Sequence, residues 1–117
     1  MEIDIGTLDK KNYYYYRLKL FSPFKPFSIL TEKERRLFAL ILSSYDENKD
    51  SKSQDLFVFS HENKKRILEE MNVSKASFDN SMSALRKKGF TKYRSLEDKY
   101  RGLLKITNKI TFKFKVQ

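Results

Sequence analysis

Between positions 74 and 88 small polar side chains alternate with cations: Ser74, Lys75, Ser77, Asn80, Ser81, Lys87 and Lys88. Hydroxyls and amides donate and accept hydrogen bonds at close range, and an amide can pair with two atoms of a purine edge at once. The ammonium groups seek phosphate-like anions. This is chemistry for holding a polyanion. Reaction chemistry finds little support: there is no cysteine, His61 is the single histidine, and no glycine-rich phosphate loop occurs. Glu69 and Glu70 are neighbours on an expected helix, so their carboxylates diverge. We expect a non-enzyme, with neither metal nor cofactor.

The charge supports a polyanion partner. The chain of 117 residues carries +10, distributed unevenly. Residues 1–55 hold 10 Lys/Arg against 9 Asp/Glu, and residues 56–70 hold three of each. Residues 71–117 hold 12 Lys/Arg against only Asp79, Glu97 and Asp98. A solubilising surface would spread such an excess, whereas a polyanion-binding face concentrates it. The length suits one domain with a single core. No apolar run approaches a membrane span and the first residues lack a signal-peptide core, so a cytoplasmic protein is expected, nucleoid-associated if bound to DNA.

The elements that must position these residues can be read in chain order. Residues 1–12 read as a flexible leader. YYYYRLKLF (13–21) reads as a half-buried strand, with Tyr14, Tyr16, Leu18 and Leu20 on one face and Tyr13, Tyr15, Arg17 and Lys19 on the other. After the break at Ser22–Pro26, Thr31 and Glu34 form a capping box. The helix that follows carries a broad apolar stripe from Leu37 to Tyr45 and dissolves into a polar loop over 46–55. LFVF (56–59) reads as a brief strand. Ser60 caps a helix that places Ile67, Leu68 and Met71 on one side, and Asn72-Val73 makes a turn. Ser74 caps the next helix, which buries Phe78, Met82 and Leu85 and stops at Gly89. FTKYR (90–94) and LLKIT (103–107) read as strands, Asn108-Lys109 as a turn, and ITFKFKV (110–116) as a strand alternating cleanly.

The stretch VSKASFDNSMSALRKKGF resembles the turn and recognition helix of winged helix-turn-helix proteins, among them small transcription regulators and replication initiators of plasmids and phages. The resemblance covers roughly residues 31–116. It implies an α+β winged helix-turn-helix of about three helices with a C-terminal β-hairpin wing, to which the 13–21 reading adds an N-terminal strand. One domain would span 13–117, with the helix-turn-helix at about 61–88 and the wing at about 90–116. The extra strand could pair with 110–116, since neither is stable alone. Carried over residue by residue, Ser74, Lys75, Ser77, Asn80 and Ser81 match the groove-facing part of the recognition helix. Lys87 and Lys88 match its backbone-contacting end, and Arg94, Lys99 and Arg101 lie in or beside the wing. Asp79 departs from the pattern, because an acid there repels phosphate.

The expected partner is double-stranded DNA, and the expected role that of a small transcription regulator of phage or mobile-element type. A replication initiator module is the alternative within that class. A protein-interaction or virion structural module without DNA binding is the alternative outside it. A homodimer, and contacts with the transcription or replication machinery, stay open.

Overall fold

The computed structural model describes residues 2–4, 10–48, 54–104 and 111–113, the first and last of these in their backbone alone. In chain order the elements are β1 (Glu2–Asp4), α1 (Lys10–Leu20), a single 3-10 turn (Phe27–Ile29), α2 (Glu32–Glu47) and α3 (Gln54–Val58). Then follow α4 (His61–Met71), α5 (Lys75–Lys87), the strands β2 (Thr91–Lys92) and β3 (Ser95–Leu96), a 3-10 segment (Asp98–Leu104) and β4 (Thr111–Lys113). The architecture is mostly helical with small antiparallel strand pairs, hence α+β.

α2 is the centre, and α1, α3, α4 and α5 all pack against it. Its start is fixed locally: the Glu34 N–H donates to the Thr31 hydroxyl (3.2 Å) and the Glu34 carboxylate accepts from the Thr31 N–H (3.0 Å). Leu37, Phe38, Ala39, Ile41, Leu42 and Tyr45 are all buried, a face wide enough to take neighbours on several sides. Burying each large apolar side chain contributes about 1.5–3 kcal/mol. The Ser60 and Ser74 caps form as expected, accepting from Asn63 N–H and Ser77 N–H.

Between α4 and α5 the chain turns at Asn72, which takes a left-handed φ of 55°, a conformation asparagine tolerates better than most residues. α5 ends on Gly89 at φ 85°. There Gly89 N–H donates to Arg86 O and Phe90 N–H to Leu85 O, the paired bonds of a Schellman stop.

Five expectations are corrected. Residues 13–21 form a helix for most of their length, not a strand: Tyr13, Tyr14 and Leu18 are buried, Arg17 and Phe21 half-buried, at spacings near 3.6. The partner of β4 is therefore β1, with Ile3 opposite Phe112. Within the expected leader, Glu2–Asp4 is this strand and Lys10 opens α1. Residues 54–58 are helical too, because Val58 and Phe59 must turn inward together while Leu56 stays 73% exposed. The hairpin after Gly89 is also shorter than expected. β2 pairs with β3, Thr91 opposite Leu96, across the two residues Tyr93 and Arg94. Leu103 and Leu104 belong to the 3-10 segment; residues 105–107, the turn at 108–109 and the ends of 110–116 lie outside the described residues.

Candidate nucleic-acid interface

The outer side of α5 is set by what its inner side buries. Phe78, Ser81 and Leu85 are buried and Met82 is half-buried against the core, so the inner stripe includes Ser81 as well as Met82. Ser81, expected to face a ligand, is only 7% exposed and is withdrawn from the surface. The outer face then carries Lys75, Ala76, Asp79, Asn80, Arg86 and Lys87, all exposed, with Ser83 half-buried beside them. Ser74 is exposed, but its oxygen is committed to the cap. Ser77, half-buried, receives a hydrogen bond from Lys33 Nζ at 2.8 Å, which brings the start of α2 up to the start of α5.

Two of the expected cations are anchors. Lys88 pairs with Glu34 and also donates to Ile29 O at 2.8 Å, tying the end of α5 to the start of α2. Burial alone would raise the Glu34 carboxyl. The Lys88 and Thr31 hydrogen bonds outweigh it, and its pKa lies below the usual range. Arg101 donates to Asp98 (3.2 Å), Asp55 (3.5 Å) and Ser95 Oγ (3.2 Å), and its guanidinium lies 5.7 Å from the centre of the Tyr45 ring. The resemblance implied contacts with a ligand; acids of the chain itself engage both side chains, Glu34 for Lys88, and the near neighbour Asp98 with the distant Asp55 for Arg101. Lys99 is exposed, with its ammonium 5.2 Å from the centre of the Tyr100 ring.

The hairpin is seated from below. Phe90 stacks on Tyr100 at 4.9 Å and meets Phe38 edge-on at 5.1 Å. Tyr45 of α2 accepts from Leu96 N–H at 3.0 Å and donates to Asp55. Burial, reinforced by that Asp55 bond, raises the Tyr45 pKa, so the phenol stays neutral and keeps its donor. What the hairpin presents is Tyr93, 73% exposed, with the Arg94 guanidinium 5.6 Å from its ring centre. Arg94 takes φ 54° at the tip.

Two surface grooves flank the middle of α5. One, of about 280 Å³, lies between α5 and the hairpin and includes Lys64, Asp79, Arg86, Lys92 and Arg94 in its walls. The other, of about 430 Å³, lies between α4 and the first turns of α5 and includes His61, Lys64, Lys65, Lys75 and Asp79. Together they gather six Lys/Arg side chains and one acid. Lys92 pairs with Glu97 and Asp98. Among the described residues no ion pair engages Lys64, Lys65, Lys75, Arg86 or Arg94. α4 thus contributes cations to this face that the summed charge had hidden. The helical period was the available signal, because His61, Lys64, Lys65 and Leu68 share one side of α4.

With this geometry in view, no protein-family model, curated protein or solved structure matches the chain.

Proposed function

We propose that the chain binds duplex DNA, with α5 entering the major groove and the β2–β3 tip following the adjacent backbone or minor groove. The observation that carries this reading is the face just described, where cations from α4, α5 and the hairpin converge around a central helix. Apart from the five-residue α3 that precedes α4, the order α2, α4, turn, α5, hairpin also suits a winged helix-turn-helix with a short wing. In this reading Asn80 addresses base edges, while Lys75, Arg86, Lys87 and Arg94 meet phosphates. Its role would be that of a small transcription regulator, performing binding rather than catalysis.

The test is duplex affinity as a function of salt. These four phosphate contacts give a slope of log K against log salt of about −3.6. Undetectable binding at low salt, or a flat slope, would overturn the reading. Selection of bound sequences from a random duplex library distinguishes one symmetric operator from the repeated sites of a replication initiator.

A further inference from the structure

Asp79 is exposed and stands in the wall of both grooves, whose other wall residues include Lys64, Lys65, Lys75, Arg86, Lys92 and Arg94. Among the described residues no ion pair engages it, although Glu34, Asp55, Glu97 and Asp98 are each paired with a Lys or Arg. It lies five residues into α5, one position before Asn80. A carboxylate at the centre of a phosphate-binding face weakens attraction on every sequence. It becomes favourable only where a donor meets it.

In the major groove two bases offer amino donors: cytosine through N4 and adenine through N6. Adenine presents the N7 acceptor beside its amino group, which repels a carboxylate and suits an amide instead. Cytosine has no such neighbour on its own edge. We therefore propose that Asp79 is a specificity-determining residue that accepts a hydrogen bond from cytosine N4, fixing one G·C pair in the site. This rests on the DNA-binding reading and adds the base that the helix requires. Replacing that cytosine with thymine puts an O4 acceptor against the carboxylate, so discrimination comes from repulsion as well as a lost bond.

The experiment selects sites from a random duplex library with the native chain, Asp79→Ala and Asp79→Asn, each checked for fold by circular dichroism. The native sites should share one cytosine whose change to thymine lowers affinity about ten-fold or more. Asp79→Ala should erase that difference, and Asp79→Asn should shift the preference at that position towards adenine. Native sites without such a cytosine, or one still required by Asp79→Ala, overturn the proposal but leave DNA binding intact. Affinity that rises equally on all sequences in Asp79→Ala also overturns it, leaving Asp79 a simple electrostatic brake. A native chain that binds no duplex overturns the DNA-binding reading itself, and this proposal with it.

Discussion

Replacing Lys88 with methionine keeps the apolar stem and removes the charge that faces Glu34. Truncating one partner of a buried pair costs about 3–5 kcal/mol. The Glu34 side chain is only 9% exposed, but that of Lys88 is 29% exposed. Water therefore screens part of the interaction, and about 2–3 kcal/mol is expected. With an unfolding entropy of about 2.1 cal/mol/K per residue over 117 residues, 1 kcal/mol moves Tm by about 4 °C. Lys88→Met should then melt about 8–12 °C below the native chain at pH 7. Glu34→Gln added to Lys88→Met removes the stranded carboxylate while keeping an acceptor for the Thr31 N–H. The double variant should recover part of the loss, about 1 kcal/mol. The assay is thermal unfolding by circular dichroism on native, single and double variants. A shift below about 2 °C for Lys88→Met, or no coupling between the two sites, would refute the assignment of Lys88 as an anchor.

Other expectations follow from the same geometry. Acid should weaken the fold through Glu34. Its pKa is lowered on folding, so its stabilisation is present above the ordinary glutamate value near 4.3 and is lost as pH falls through the folded value. Glu34→Gln should therefore show a shallower fall of Tm between pH 5 and pH 3 than the native chain does. Tyr45→Phe leaves the Leu96 N–H without its acceptor and should cost about 1–3 kcal/mol; faster amide exchange at Leu96 than in the native chain is the readout. Gly89→Ala meets no atom within 4 Å but must hold φ 85°, a strain of about 1–2 kcal/mol measurable by urea unfolding.

Termini of helices were legible because their chemistry is local. Thr31, Ser60, Ser74 and Gly89 each act within about four residues, and each does what its type dictates. The tyrosine run was misleading for the opposite reason. Four identical rings in succession carry no hydropathy contrast, so neither period two nor period 3.6 can be read from them. Packing against α2 then overrode the strand propensity of the rings. The hairpin carried no glycine or asparagine at its tip, because Arg94 takes the left-handed position. Its boundaries were accordingly placed too wide. Of the candidate residues on α5, Lys75, Asn80 and Lys87 are exposed as expected, whereas Ser81 is buried. Lys88 meets an acid 54 residues away and Arg101, besides its near neighbour Asp98, one 46 residues away, and no local pattern reports the distant partners. In α4 equal numbers of Lys/Arg and Glu cancel along the chain, while the helix sorts Lys64 and Lys65 onto one side.

The two clamps on α2 have a mechanical consequence. Glu34 grips the end of α5, while Tyr45, eleven residues further along the same helix, grips the hairpin. At 1.5 Å per residue these grips stand about 16 Å apart on a continuous strut. The outer helix α5 and the tip beside it thus behave as the jaws of a locked caliper. In the proposed DNA complex, each base pair inserted between the stretches they would touch adds about 3.4 Å and a rotation of about 35°. A locked caliper cannot follow either change, so the spacing within a bound site should be invariant even where its bases vary.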